Sequence, residues 1–415
     1  MIKMHKPIGL SSWASIYQEQ CNAKLTKFGM PSKKSEYWRF SPPELWDNTG
    51  KTISDNSILI KKNNEYKLNK PNYSINFVDG KLDLESFENL KNKLTVCEIS
   101  EFNDSVNNEA HWAKDCLGKV ELKAMKAYQR PFALLNGSMA SQGIFLKCKE
   151  SLEQPLHIFY LGKKPINAII RNLFVIENGI NLQIVEHFSG NAKYNVVSEV
   201  IANFNSSLTH NRFISRSVQN SLISHFFANC MNSSSIKTVN ISLANSAIRN
   251  EIFINLEGSR CNATVAGLGL GSNQSSLCDN TVFISHQDEF SQSRQIIKNV
   301  LSKGAKAVFQ GKIYVDSRAQ KTDGYQMSNG LILDESSHFL VKPELEIYAD
   351  DVACSHGSIS GSLNQEHLFY LKSRGICEND AKNILINAFL EEIIDEIEDS
   401  NLARFFQKEI TEVLV

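Results

Sequence analysis

Lys237-Thr238-Val239-Asn240-Ile241-Ser242-Leu243 and, shortly after it, Glu251-Ile252-Phe253-Ile254-Asn255-Leu256 alternate apolar and polar residues with a period of two. That is the signature of strands whose successive side chains point to opposite faces. Similar short β-rich runs lie on both sides: Leu173 to Ile176, Leu182 to Val185, Glu199 to Ala202, Thr281 to Ile284, Ala307 to Val315, Leu331 to Leu333 and Leu345 to Tyr348. Between them stand Asn, Ser and Gly turns such as Glu177-Asn178-Gly179 and Glu257-Gly258-Ser259, with few prolines and almost no room for a helix. An alternating βαβ sheet is thereby excluded. The run from about residue 131 to about residue 350 must form a large sandwich, a barrel, a propeller or a coiled β-solenoid. No strict hexapeptide or WD-type repeat is visible. Alternation suits a sandwich as well as a solenoid, and an irregular solenoid is the expectation adopted.

Outward from this run the pattern changes at both ends. Residues 1 to about 130 mix helix-like and polar segments, and the Lys/Asn-rich stretches Lys61 to Asn64 and Lys67 to Asn72 read as solvated loops. Within this part, Glu36-Tyr37-Trp38-Arg39-Phe40 stands just before Pro42-Pro43; the prolines must end any helix in progress, and the aromatics read as an anchor for this arm on the main body. After residue 363 helical spacing returns: a short helix from Asn364 to Lys372 stopped by Gly375, a long one from about Asn379 to Ile397, and a last from Asn401 to Leu414. In the long helix, Ala381, Ile384, Leu385, Ala388 and Phe389 make one apolar stripe; Ile386, Leu390, Ile393, Ile394 and Ile397 make a second beside it. Such a helix must pack on two sides. The second side is either a partner subunit or the neighbouring C-terminal helices. The expected division is 1–130, 131–362 and 363–415.

Composition bounds the function. With 44 basic and 45 acidic residues in a chain of 415, nothing pulls the molecule as a whole toward nucleic acid or anionic membrane. The opening MIKMHKPIGLSSW lacks a basic cluster followed by an apolar run, and no later stretch approaches a membrane span; a soluble, cytoplasmic protein is expected. Nine cysteines without a Cys-x-x-Cys pair fit reduced thiols rather than a disulfide framework or a self-contained zinc site.

Among segments that could carry chemistry, Asp350-Asp351-Val352-Ala353-Cys354-Ser355-His356-Gly357 stands out. In an extended chain residues two apart share a face, so Cys354 and His356 would present a thiol and an imidazole together, soft and borderline ligands for iron or zinc. Two ligands do not close a site, and a lone Cys-x-His is as a rule structural. Gly267-Leu268-Gly269-Leu270-Gly271-Ser272-Asn273 has neither dinucleotide nor P-loop spacing and reads as a turn between strands. His286 with Asp288 and Glu289 reads as a loop after a strand, and the acids Glu391, Glu392, Asp395, Glu396 and Glu398 as a solvated helix face.

The C-terminal third is recognisable as a whole. Ala307-Val308-Phe309-Gln310-Gly311-Lys312-Ile313, Ala319-Gln320-Lys321-Thr322-Asp323, the run from Pro343 to Val352, Cys354-Ser355-His356-Gly357 and the run from Leu368 to Ile376 resemble the SufB/SufD family of the SUF iron–sulfur cluster assembly machinery in order and spacing. A weaker likeness extends upstream through Phe132 to Asn136, Gly143 to Phe145 and Glu36 to Arg39. The resemblance implies a mainly β chain: a right-handed parallel β-helix core with a mixed α-rich N-terminal region and a C-terminal helical domain. It also implies a scaffold that pairs with a SufB-like paralogue and docks a SufC-like ABC ATPase, with Phe369, Tyr370, Arg374, Gly375, Ile376, Phe389 and Ile393 as contact residues. ATP would reside on that partner, and this chain would not itself be an enzyme.

Within the family, the SufB-type thiol of a Gln-Cys-Asp-Ser segment corresponds here to Ser328 in Gln326-Met327-Ser328-Asn329, and a hydroxyl cannot form a persulfide. The Cys-Ser-His-Gly tetrad resembles the SufD branch. That likeness implies that His356, with Cys354 beside it, contributes ligands to a transient iron–sulfur cluster at a subunit interface. Ala353 and Gln142 depart from the family pattern, which often has lysine and aspartate there. A reduced flavin in the complex and a homodimer of the isolated chain stay open. The competing expectations are a β-helix carbohydrate-active enzyme, which needs an acid cluster or calcium site on one sheet face where these strands carry Asn, Ser and Thr, and a homodimeric binding scaffold.

Overall fold

The computed structural model describes residues 11–47, 71–125 and 128–414. The polar stretches expected as loops at 61–64 and 67–70 lie outside them.

Strands alternate between two sheets. One, of ten strands, runs in the order Ala353–Gly361, Asp323–Ile332, Gln292–Leu301, Asn262–Gly271, Ser235–Ser242, Ser207–Ile214, Asn181–Gly190, Leu156–Gly162, Tyr73–Val78 and Lys81–Leu82. The other, of nine, runs His338–Ile347, Lys306–Val315, Leu277–His286, Ala247–Leu256, Leu222–Cys230, Lys193–Ala202, Asn167–Ile176, Ile144–Cys148 and Cys97–Glu101. Each coil gives one strand to each sheet and stacks parallel on the coil before, so the core is a parallel β-solenoid. Antiparallel pairs occur at its beginning, where Val78 faces Lys81 and Cys97 faces Cys148.

Coil length explains why no repeat shows in the sequence. Ile248 stacks on Leu222, 26 residues earlier, whereas His338 stacks on Lys306, 32 residues earlier. Turns absorb the difference while the strands stay in register. The nine strands read from alternation all fall on observed strands, most of them ten residues long. The reading of Gly267 to Asn273 as a turn is corrected: through Gly271 it lies inside the strand Asn262–Gly271. The glycines are there for space, since a Cβ on Gly269 would stand 2.4 Å from Asn299 Oδ1 and 2.8 Å from Cys278 Sγ. A helix, Pro131–Met139 with proline in its first turn, also precedes the strand run.

The alternation has three destinations. Between the sheets, Ile236, Ala263 and Val265 of the first pack with Leu222, Phe226, Ile252, Ile254 and Val282 of the second. On the outer face of the first sheet, Val239, Ile241, Ala266 and Leu268 pack under Ile386, Leu390, Ile393, Leu402 and Phe406 of the helices Glu378–Ile394 and Ser400–Leu414. On the outer face of the second, Ile223, Phe227, Phe253 and Phe283 are covered by N-terminal residues including Trp38, Phe132 and Val120. In the strand Ser235–Ser242 Val239 and Ile241 therefore face out, and Ile236, Thr238 and Asn240 face the lumen, the last two bonded to each other at 3.3 Å. Next to them, His210 Nδ1 lies 2.8 Å from Thr238 Oγ1 and Arg212 donates across the lumen to Ser224 Oγ at 2.7 Å.

The aromatic arm is an anchor. Trp38 is buried, with the Arg249 guanidinium 4.0 Å from its ring, and Arg249 donates to Glu251, to Asp279 and to the Tyr37 carbonyl. Of the helix acids read as solvated, Glu392 pairs with Lys298 at 2.5 Å and Glu396 with Lys237 at 3.4 Å, tying the C-terminal helices to the sheet.

Candidate functional site

The last coil of the solenoid supplies an edge strand to each sheet. Ala353–Gly361 is the last strand of the first sheet and His338–Ile347 the last of the second. Among the described residues neither has a strand on its outer edge, so both present unpaired backbone N–H and C=O groups.

Parallel register places the two expected ligands. Cys354 continues the column Ile236, Ala263, Ser293, Gly324, and His356 continues Thr238, Val265, Gln295, Gln326. Both columns face the lumen farther back, so the two side chains share a face and stand over its open end. His356 is exposed and Cys354 half-buried. The Cys354 sulfur has room because Gly324 lies beneath it: a Cβ there would stand 3.2 Å from Sγ. Around Cys354 pack Ile313, Val315, Ala349 and Leu345. That burial pushes the Cys354 thiol up from its ordinary value; an incoming cation would have to draw off its proton.

Ser328 is buried in the next lumen-facing column, its Oγ 3.1 Å from Ser358 Oγ. The hydroxyl position that the resemblance aligned with a thiol therefore lies inside the last coils, within the same end of the molecule as Cys354 and His356. Among the described residues, no three His, Cys, Asp or Glu side chains converge on one point. His286, the other candidate, ends its strand fully buried with Nε2 2.8 Å from Ser293 Oγ.

Sequence reasoning missed a neighbour of Cys354. Arg294 clamps Asp323 through two hydrogen bonds of 3.0 and 2.6 Å, and with Tyr325, Ala353 and Ser355 they form a depression beside the cysteine. Arg294 and Asp323 are 29 residues apart, and only coil register, which no motif announces, brings them together.

The expected docking residues separate. Phe369 and Tyr370, on the helix Gln365–Ser373, are 74% and 56% exposed, with Arg374 5.2 Å from the Tyr370 ring. Gly375 takes φ +89°, the left-handed stop expected of it, and Ile376 is half-buried. Ile393 is a correction: it is 0% exposed, packed under the first sheet. Phe389 is half-buried against the same cluster, its carbonyl accepting from Lys298 Nζ at 2.7 Å. The long helix finds its second side on the solenoid of its own chain.

No described helix is long and apolar enough to cross a membrane. Residues 159–389 match the family described as "SUF system FeS cluster assembly, SufBD core domain". The chain is 28% identical over 388 residues to the iron-sulfur cluster assembly protein SufD of Escherichia coli strain K12, covering 91% of this chain and 88% of that one. It is 28% identical over 284 residues to an iron-sulfur cluster assembly SufBD family protein of Synechocystis (64% of this chain, 62% of the relative). Over 296 residues it is 24% identical to SufD of Bacillus subtilis, covering 68% and 67%. With more than half its length matched to the family and a solenoid whose last coil carries the Cys-Ser-His-Gly tetrad, the chain belongs to the SufBD family of iron–sulfur cluster assembly proteins.

Proposed function

We propose that the chain is a non-catalytic scaffold subunit for iron–sulfur cluster assembly, joined at its last coil by a SufB-type paralogue that completes a cluster site begun by His356 and Cys354. The observation that carries this is the exposure of His356 on an edge strand whose free backbone groups are themselves a template for another chain. One imidazole and one thiol are an open coordination sphere; iron and sulfide are the cargo, and the missing ligands come from the paired subunit. The exposed Phe369 and Tyr370, on the short helix Gln365–Ser373, form the apolar dock for a SufC-type ATPase. ATP acts there, on the partner, by favouring one of two arrangements of the paired subunits. A reduced flavin, where the complex takes one, belongs to the assembly, and the setting is cytoplasmic.

The test is co-expression with a SufB-type and a SufC-type protein, sizing of the complex, and anaerobic iron and sulfide analysis. The expected outcome is a three-protein complex that gains iron and sulfide, and that keeps its size but loses most of that gain on His356→Ala. Full assembly by the His356→Ala complex would remove His356 from the cluster site. Failure to co-purify would remove the scaffold reading.

A further inference from the structure

At the beginning of the second sheet, the antiparallel pair Cys97–Glu101 and Ile144–Cys148 sets Cys97 directly opposite Cys148. The Lys149 N–H donates to the Val96 carbonyl at 3.3 Å, which makes Val96 and Lys149 a hydrogen-bonded pair and Cys97 and Cys148 the adjoining non-hydrogen-bonded one. Residues so placed hold their Cα atoms roughly 4.5 Å apart with side chains at their closest, inside the roughly 4.4–6.8 Å window a disulfide needs. The sulfurs are 3.3 Å apart, and both residues are free thiols. The backbone is already in bridging geometry and only side-chain rotation separates the reduced pair from a bond.

We propose that Cys97 and Cys148 are a reversible thiol–disulfide exchange site for low-molecular-weight disulfides. The two thiols are unequal. Cys97 is partly exposed and Cys148 buried, so the external disulfide meets Cys97. Cys97 S–H points at the Cys148 sulfur, an arrangement that favours negative charge on Cys148 and raises Cys97. In the first step Cys148 gives its proton to solvent, Cys97 passes its own proton to the Cys148 thiolate and Cys97 Sγ attacks one sulfur of the small disulfide; the S–S bond breaks and one thiolate leaves, to be protonated by solvent. In the second, Cys148 loses its proton to solvent and attacks Cys97 Sγ, expelling the second small thiolate. Two protein thiols are oxidised by two electrons and one disulfide is reduced to two thiols. The bond would join residues 51 apart in sequence, closing a loop that contains the helices Phe102–Val106, Lys119–Ala124 and Pro131–Met139. It would thereby fasten the N-terminal cover of the second sheet to the first coil, and hold in place the strand that forms that sheet's starting edge.

The experiment treats the folded full-length chain with oxidised glutathione, blocks remaining thiols, digests, and maps the products by mass spectrometry, followed by reduction with dithiothreitol. A Cys97–Cys148 cross-linked peptide is expected to dominate over every other cysteine pairing and to vanish on reduction. Cys148→Ser should accumulate glutathione on Cys97 with no internal bond, and Cys97→Ser should leave Cys148 unmodified. The site is overturned if the wild-type chain keeps both thiols free under these conditions, or if glutathione stays on Cys97 unresolved. The wild-type map alone decides, so a variant that folds poorly does not blunt the test.

Discussion

Replacing Arg249 by methionine should cost the fold several kcal/mol and reveal how the N-terminal arm is held. The guanidinium is fully buried, bonded to Glu251 at 2.8 Å and to Asp279, and it lies 4.0 Å from the Trp38 ring. Methionine keeps much of the volume but leaves two buried carboxylates facing each other's field. Glu251 retains His225 at 3.1 Å and Arg130 at 3.8 Å; among the described residues Asp279 retains the hydroxyls of Ser41 and Thr281 and no cation. Stranding one partner of a buried ion pair costs about 3–5 kcal/mol, and losing the cation from the Trp38 face adds about 1 kcal/mol. Asp279 limits the bill by taking a proton, since burial already holds its carboxyl above the usual range with Arg249 present. A folded-state value raised above the unfolded one gives stability that is complete at low pH and lost as pH rises. The Arg249→Met deficit should therefore be largest at neutral pH and shrink by about 1.4 kcal/mol per unit on acidification, while Asp279 is the group that titrates. Urea unfolding across that pH range, with Arg249→Met/Asp279→Asn as the companion, is the assay. Asp279→Asn should recover a good part of the loss and flatten its pH dependence. A single variant within about 0.5 kcal/mol of wild type, the scale of an ordinary surface substitution, or a double variant no better than the single, would refute the reasoning.

Three further outcomes follow from burial and charge. Ile393→Ala should destabilise the chain by about 2–5 kcal/mol in urea unfolding, because Ile393 is 0% exposed beneath the first sheet. Phe369→Ala, at 74% exposure, should leave stability within about 0.5 kcal/mol yet weaken binding of a SufC-type ATPase about tenfold or more, as read by calorimetry, an effect that corresponds to about 1.4 kcal/mol. Burial pulls the His286 imidazole down to about 4; a lowered histidine gives stability that is present above its unfolded value and lost as pH falls toward the folded one. His286→Gln should therefore flatten the acid limb of a stability–pH curve between roughly pH 6.5 and 4, worth about 3 kcal/mol at most, and an unchanged limb would assign acid sensitivity elsewhere.

Strand positions were legible because alternation is a local property: each of the nine runs read from it lies on a strand. Which face meets the core was not, and Ser235–Ser242 shows why. Its apolar residues Val239 and Ile241 are buried under helices more than a hundred residues away in sequence, while Thr238 and Asn240 face the lumen beside Ile236, joined by one hydrogen bond. Both sides of that strand are covered, so hydrophobicity marks burial without saying against what. The glycines of Asn262–Gly271 misled for a related reason. Glycine announces a turn when the backbone needs it, but here neighbouring lumen side chains need the space, and their identity depends on a stacking register that single-chain patterns do not carry.

The same distinction runs through the site. Cys354 and His356 could be placed on one face because they are two residues apart, and the columns through Gly324 and Gln326 add only where that face points. Everything completing their surroundings comes from other coils: Arg294 and Asp323 from neighbouring strands, Ile313 and Leu345 from the opposite sheet. A long helix apolar nearly all round likewise said that two sides are covered, without choosing Ile393 for the solenoid and Ile384 for solvent. In a solenoid each coil is stabilised by its neighbours, so a last coil with no neighbour is where sequence and structure both stop accounting for the molecule. Its edge strands carry unpaired backbone, a half-buried thiol and an exposed imidazole together. Sheet edges are commonly blunted with charge, proline or a covering loop; the last strand of the second sheet carries Lys342, Pro343, Glu344 and Glu346, whereas the last strand of the first reads Ala-Cys-Ser-His-Gly-Ser-Ile-Ser-Gly, without lysine, arginine, aspartate, glutamate or proline, and it is on this less guarded edge that the proposed pairing with another polypeptide rests.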